Sequence, residues 1–451
     1  MRRTFLQSFA LVSAVALVPA ATSSFAAVDA STYRELDAFM SVFERVRSEY
    51  VEQVDDKTLL RGAIDGMLAS LDPHSSYLDE KGFKALMTTT EGNYGGLGLN
   101  VTQEDGAVKV IAATEGTPAD RAGIKAGDYL THINGKLVYG GTLDEAVEQM
   151  RGPPGTNVKI TVVRPGRDKP FDVAITRAVI ELPAVKWEIK DRVGILNVNT
   201  FNRTTTDATL AAMTAIEKSL GGKPLGYVLD LRSNPGGLLD QAISLSDAFL
   251  ERGEIVSQRG RKKGDIERYY AKPGDAARGL PVVVLVDAGS ASAAEIVAGA
   301  LQDHHRALVM GERSFGKGSV QTLLPLSQQT GLRLTTARYY TPSGKSVQEG
   351  GITPDISVPQ LSDPDYKARP RLREADLRRH LINELKVEDD VIQDDGTPDP
   401  RFRATADELK KKNITDFQLH YALQTISRLG KTQQAAAPAA PAEGAKKAGS
   451  R

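Results

Sequence analysis

Pro281-Val282-Val283-Val284-Leu285-Val286-Asp287-Ala288-Gly289-Ser290-Ala291-Ser292-Ala293-Ala294-Glu295 passes from an apolar run through a turn of small residues into an Ala-rich segment. An unbroken apolar run this short predicts a strand covered on both faces, as in a parallel sheet. The neighbouring sequence repeats the alternation. Residues 227–231 read as a strand, 238–250 as a helix, 255–258 as a strand, 293–301 as a helix and 307–310 as a strand. Across residues 183–360 this succession predicts a parallel sheet faced by helices. A Ser at the strand-to-helix junction meets unpaired helix N–H groups and positive potential, which stabilise an alkoxide or an oxyanion. Ser290 and Ser292 both stand there, and capping the helix is the ordinary role of a Ser so placed.

A nucleophilic Ser needs a base. The six His are His74, His132, His304, His305, His380 and His420. None has a familiar catalytic setting, and His304 and His305 fall at the far end of the helix that Ser292 begins. A Lys serves instead when burial removes its charge and leaves a free amine. Gly311-Glu312-Arg313-Ser314-Phe315-Gly316-Lys317-Gly318-Ser319-Val320-Gln321 follows the next strand. Lys317 lies between two glycines that permit close approach. Gln321, an even number of positions on, is expected on the same strand face, where its neutral amide orients the amine without holding it protonated. The same segment is a near match to a phosphate-binding loop. Gly318, however, stands where Ser or Thr would hold Mg²⁺, and residues 320–326 predict a strand where that loop needs a helix.

Upstream, Tyr94-Gly95-Gly96-Leu97-Gly98-Leu99 precedes a predicted strand at 99–102. Its glycines let successive amides converge on an anion. Residues 108–111 and 158–163 predict further strands. Thr142 to Met150 predicts a short helix with Thr142 and Glu145 as a capping box. Pro118-Ala119-Asp120-Arg121-Ala122-Gly123-Ile124-Lys125-Ala126-Gly127-Asp128-Tyr129-Leu130, followed by Ile133-Asn134-Gly135, resembles a PDZ domain. The resemblance implies that Gly96, Leu97, Gly98 and Leu99 bind a free C-terminal carboxylate. The peptide would add as a strand beside the 142–150 helix, with Ala146, Val147 and Met150 lining its side-chain pocket.

Taken together, the Ser-Ala-Ser-Ala-Ala-Glu-Ile run, Lys317 twenty-five residues after Ser292, and Gln321 four further on resemble the carboxyl-terminal processing proteases. So do Leu229-Asp230-Leu231-Arg232-Ser233-Asn234-Pro235-Gly236-Gly237, Tyr339-Tyr340-Thr341-Pro342-Ser343-Gly344-Lys345-Ser346 and Gly351-Ile352-Thr353-Pro354-Asp355. The likeness covers residues 35–360. It implies an α/β fold: a crotonase-like parallel-sheet protease core, an inserted PDZ β-sandwich or barrel, and helical N- and C-terminal flanks. It also implies Ser292 as nucleophile, Lys317 as base and Gln321 as support of the Lys. The N–H groups of Gly237 (or Gly236) and Ala293 would form the oxyanion hole. Ser290 is the alternative alignment of the nucleophile. Arg151, at the exit of the PDZ helix, is expected either to couple ligand binding to the catalytic site or to be a solvated surface residue. A PDZ scaffold of the cell envelope without catalysis is the competing reading of function.

The remaining features set the context. A length of 451 residues allows two to four domains. Lys+Arg and Asp+Glu are 57 each, so bulk charge gives no argument for nucleic acid. Cys is 0, which excludes disulfides, thiolate catalysis and Cys-bound metals. Acidic runs such as Glu388-Asp389-Asp390 and Asp394-Asp395 lack metal-ligand spacing, so no metal or other cofactor is expected. Arg2, Arg3 and the apolar residues 9–20 read as a secretory signal, with an uncleaved membrane anchor as the alternative. Export to the bacterial periplasm follows, tethered to the inner membrane if the segment is retained. Two helical stripes lie between residues 31 and 70. Residues 364–430 return to a charged helical pattern, and 432–451 lack core-forming residues and predict disorder. The expected division is signal 1–26, helical region 27–88, PDZ domain 89–182, protease core 183–362, helical region 363–430 and disordered tail 431–451. Expected partners are unfolded or C-terminally flexible protein substrates, further copies of the chain in a dimer or larger ring, and an accessory lipoprotein in some family members.

Overall fold

The computed structural model describes residues 30–385, apart from Asp105, Lys367 and Pro370, and residues 401–436. The expected signal, the two acidic runs and residues 437–451 lie outside the described residues.

Residues up to Gly66 form one compact unit and residues from Met67 a second. In the first, helix Ala30–Glu49 carries the expected stripe, and Tyr33, Leu36, Phe39 and Met40 are exposed. Helix Asp56–Ala69 begins there, and Arg47 bonds Glu44 and approaches Asp56.

The second unit is built around a six-stranded sheet. Its strand order is Val185–Lys190, Val193–Val198, Tyr227–Asp230, Val282–Val286, Leu308–Gly311 and Ile356–Ser357. The first pair is antiparallel and every later pair parallel. Side chains of Val282–Val286 alternate between two cores, as strand geometry requires. Val282, Val284 and Val286 join the cluster built with helices Leu239–Asp247 and Ala293–Asp303. Val283 and Leu285 join Phe402, Leu409, Phe417 and Leu423 in the other. Helix Phe417–Ala436 therefore covers the face left open by the core's own helices, which is why the strand is apolar throughout. This helix runs past residue 430, beyond the expected start of the tail.

Two expectations are corrected. Strand Gly253–Gly260 does not enter the parallel sheet. It pairs antiparallel with Ile266–Ala271 and Gly331–Tyr340 in a separate five-stranded sheet. Only Ile255, Val256 and Ser257 of it are buried, so it fits a half-solvated antiparallel sheet. The described part of 364–385 is turns with one 3₁₀ segment, Glu374–Asp376, rather than helix. Glu374 is buried against His74 and Gln348 and Arg371 reaches Glu312, while most of its other charged residues stay exposed; a period of charge alone provides no apolar face for a helix to bury.

The PDZ region has a second sheet, ordered Leu99–Glu104, Ala107–Ala113, Tyr129–Ile133, Asn157–Val163, Phe171–Thr176, with Lys136–Leu137 beside Tyr129–Ile133. Leu99–Glu104 is an edge strand. Helix Leu143–Met150 has the expected capping box. An unforeseen helix, Glu80–Glu91, precedes the module, with Asp79 as N-cap and Gly92 in the left-handed conformation at its end.

Candidate active site

Ser292 sits at the turn from strand Val282–Val286 into helix Ala293–Asp303, with φ of 56°. This region is costly for a non-Gly residue and persists only where surrounding structure enforces it. Here the enforcement is visible. The Ser292 N–H donates to Glu295 Oε2 at 2.7 Å, and the Ser292 carbonyl accepts from the Tyr339 hydroxyl at 3.1 Å. Ser292 and Glu295 stand at capping-box spacing, but the Glu295 N–H bonds the Ser292 carbonyl at 2.9 Å and the Ser292 hydroxyl makes no cap hydrogen bond of ordinary geometry. Ser290, in contrast, is fully buried. Its hydroxyl donates to the Leu231 carbonyl at 2.8 Å and accepts from the Asp287 N–H at 2.9 Å. Of the two candidates, only Ser292 has a free and accessible hydroxyl.

Lys317 lies in the loop before strand Ser319–Pro325, so it does not share a strand face with Gln321 as expected. Contact is made instead across the irregular register at Val320 and Gln321, where Lys317 Nζ donates to Gln321 Oε1. Burial pushes the Lys317 ammonium down to about 8, against the opposing pull of Glu374 and Glu295; Arg333 adds to the lowering. No hydrogen bond joins Lys317 Nζ to Ser292 Oγ.

Glu295 is the residue that sequence reasoning missed. It is fully buried, and one carboxylate braces both loops. Oε1 accepts from Ser314 Oγ at 2.6 Å and the Gly316 N–H at 2.7 Å; Oε2 accepts from the Ser292 and Lys317 N–H groups at 2.7 and 3.0 Å. Burial pushes its carboxyl up to about 7, opposed by these same hydrogen bonds. The available signal was a Glu three residues after Ser292, the spacing of a capping box. Tyr339 completes the brace, its one hydroxyl proton shared between the Ser292 and Lys317 carbonyls.

Turn Asn234–Gly237 packs against this junction. A Cβ on Gly236 would lie 2.8 Å from Ser292 Cβ, and one on Gly237 would lie 2.1 Å from the Phe201 carbonyl oxygen. Both residues have positive φ, 97° and 146°. The Gly236 N–H is occupied by Asn234 Oδ1 at 2.8 Å. The N–H groups of Gly237 and Ala293 have no acceptor among the described residues, which favours Gly237 over Gly236 as the anion-facing donor.

In the PDZ region the Gly96–Leu99 loop closes the exposed end of the edge strand. The Leu97 and Gly98 carbonyls are occupied by the N–H groups of Ala119 and Thr114, whereas their own N–H groups donate to nothing within the described residues. Leu97, Ala146 and Met150 are buried together in one cluster, with Val147 and Leu99 packed on it. Arg151 lies over the Tyr94 ring at 4.9 Å and near Glu148 at 3.5 Å, and none of its contacts is with the Ser292–Lys317 cluster. A polar cleft of about 410 Å³ at the sheet edge, lined by Asp230, Arg232, Asp287 and Glu312 among others, includes none of Ser292, Lys317 or Gln321.

Comparison with known proteins identifies the family. Residues 192–358 match peptidase family S41, 109–164 match the PDZ domain, and 11–82 match the activating protease CtpB N-terminal domain. A carboxy-terminal-processing protease of Bartonella bacilliformis is 52% identical over 78% of this chain and 81% of its own length. The carboxy-terminal processing proteases CtpA and CtpB of Bacillus subtilis are 37% and 34% identical, over 75% and 81% of this chain and 71% and 76% of theirs. The chain therefore belongs to the carboxyl-terminal processing proteases of peptidase family S41 and is a serine-type peptidase with a PDZ domain.

Proposed function

We propose that Ser292 is the nucleophile, Lys317 the general base and Gln321 the residue that supports the Lys. The observation that carries this reading is the pairing of an unoccupied Ser292 hydroxyl with a half-buried Lys317 whose ammonium gives up its proton more readily than usual, both backbones being fastened to Glu295. Neutral Lys317 Nζ takes the hydroxyl proton as Ser292 Oγ bonds to the scissile carbonyl carbon. The negative oxygen is held by the Gly237 and Ala293 N–H groups. The C–N bond then breaks, and the Lys317 ammonium returns its proton to the leaving amine. Water, deprotonated in turn by Lys317, releases the acyl group and restores Ser292.

The Gly96–Leu99 loop captures the substrate's free C-terminus, supported by its two unmatched N–H groups and the adjoining edge strand. Extended, C-terminally flexible proteins are the substrates, cleaved near that end. Arg151 couples capture to catalysis in this scheme indirectly, through the Tyr94-to-Gly96 strand that it overlies. We assign the core to the crotonase-like class and the module to a PDZ barrel, with the boundaries 1–26, 27–88, 89–182, 183–362, 363–430 and 431–451. The basic start and apolar run support export to the periplasm, or a tether to the inner membrane where the segment is retained. The exposed stripe of Ala30–Glu49 supports a dimer or larger oligomer, and an accessory lipoprotein would be an additional partner.

The test is digestion of an unfolded protein bearing a free C-terminus. Ser292→Ala is expected to abolish it, and Ser292→Ala with undiminished turnover would overturn the assignment.

A further inference from the structure

We propose that Asp72 and Thr335 are positioning residues that determine which end of the Gln321 side chain faces Lys317. The inference rests on the reading of Lys317 as base.

An amide can present either its oxygen or its NH₂ group, and the two have opposite consequences here. Facing Lys317 with its oxygen, Gln321 accepts an N–H and leaves the amine lone pair free for the Ser292 proton. Facing it with NH₂, Gln321 would donate to that lone pair and occupy the base. What selects the first state is a chain of hydrogen bonds leading away from the site. Gln321 Nε2 donates to Ser319 Oγ at 3.0 Å and to Thr335 Oγ1 at 3.2 Å. Thr335 has one hydroxyl proton, and it is given to Asp72 Oδ1 at 3.1 Å. A carboxylate only accepts, so the Thr335 hydroxyl has only lone pairs left to offer Gln321. Those require an N–H, and the amide oxygen is turned toward Lys317.

Asp72 is held as the anion this logic needs. It is 4% exposed, which works against its charge. Three donors outweigh that: the His74 and Ser75 N–H groups and the Ser75 hydroxyl, each at 2.8 Å. Together with Thr335 they hold its carboxyl below the ordinary value. The backbone also fixes the distance. Strand Ser76–Leu78 pairs with Gly331–Tyr340, Ser76 opposite Arg333, and the Thr335 N–H donates to Ser75 Oγ at 3.1 Å. Besides Asp72, the charged groups acting on Lys317 are Glu374, Glu295 and Arg333. Glu374 is itself buried and bound by His74 Nε2 and Gln348 Nε2.

The experiment compares wild type with Thr335→Val, Thr335→Ser, Asp72→Asn, Ser292→Ala and Lys317→Ala. It measures kcat, KM and their pH dependence on a peptide with a free C-terminus, alongside thermal melts. Thr335→Val is expected to lower kcat by about ten- to hundredfold, part of what a positioned base contributes, with KM within about twofold. Its acid limb should move to lower pH, because the ammonium loses its acceptor. Thr335→Ser should restore kcat to within about threefold of wild type. Asp72→Asn should lower kcat and shift the limb in the same direction, since it frees the Thr335 proton and removes a negative charge. Thr335→Val with wild-type kcat and pH profile would overturn the proposal, as would equal impairment of the Val and Ser variants. If Thr335→Val does not melt cooperatively, Asp72→Asn decides, and an unchanged kcat and limb there would refute the chain. Persisting activity in Ser292→Ala or Lys317→Ala would instead bring down the underlying assignment.

Discussion

Glu295→Gln removes one charge and keeps the shape of the residue that ties together the two loops carrying Ser292 and Lys317. The carboxylate accepts on both oxygens, from Ser314 and Gly316 on one and from Ser292 and Lys317 on the other. A Gln must put NH₂ at one end. At the Oε2 end it would confront two backbone N–H groups; at the Oε1 end it would confront one, plus a hydroxyl that can rotate. The second choice is cheaper and leaves a buried N–H unmatched, which costs about 1–3 kcal/mol. The melting temperature should fall by several degrees, since about 1 kcal/mol corresponds to about 2–4 °C in a domain of this size. Catalysis should fall further. The Gly316 end carries Lys317, and a shift of about 1 Å at a reacting group costs on the order of a hundredfold. The pH profile separates bracing from simple stability. In wild type both Glu295, near 7, and Lys317, near 8, must lose a proton for the site to work, so the acid limb of kcat should be steep. In Glu295→Gln it should show a single proton. Peptide turnover from pH 5.5 to 9.5 with calorimetry on the same samples is the assay. Wild-type kcat and an unchanged steep limb in Glu295→Gln would refute the brace.

Other consequences are more direct. Lys317→Arg should be inactive at every accessible pH, because a guanidinium does not deprotonate there; peptide turnover up to pH 10 checks it. Lys317→Met should be inactive yet more stable at pH 7. The folded-state Lys titrates near 8 instead of 10.5, so its ammonium costs the fold up to about 3 kcal/mol below pH 8. That penalty shrinks as pH rises and vanishes above the ordinary value, so chemical denaturation at pH 7 and pH 10.5 should show a gain only at the former. Gly237→Ala should lose on the order of a hundredfold or more in kcat, because a Cβ there collides with the Phe201 carbonyl and displaces the free N–H. Amidating a peptide's C-terminus should raise KM with little effect on kcat, as read from initial rates of acid and amide forms.

Much of the site is local in sequence and so was legible. The apolar strand, the small-residue turn and the helix form one continuous stretch, and Lys317 and Gln321 follow one strand later. The PDZ helix was equally readable, because Thr142 and Glu145 make their capping bonds within four residues of chain. What escaped depends on long-range pairing. Asp72 and Thr335 are 263 residues apart and meet only because Ser76–Leu78 joins the edge of another sheet. Gly253–Gly260 has a strand's composition, but its partners are Ile266–Ala271 and Gly331–Tyr340, which no local pattern names. Residues 364–385 show the reverse error. Arg371 reaches Glu312 and Glu374 reaches His74, so charges that resemble a solvated helix are tertiary contacts of a coiled segment.

The central claim is that a neutral amine at Lys317 activates the Ser292 hydroxyl. Its most direct measurement is the rate at which a fluorophosphonate modifies the enzyme as a function of pH, with the modified residue located by peptide mass mapping. The account predicts one adduct, on Ser292, forming at a rate that rises through pH 8 and drops sharply in Lys317→Ala. A flat pH dependence, an undiminished rate in Lys317→Ala, or an adduct on Ser290 would contradict it.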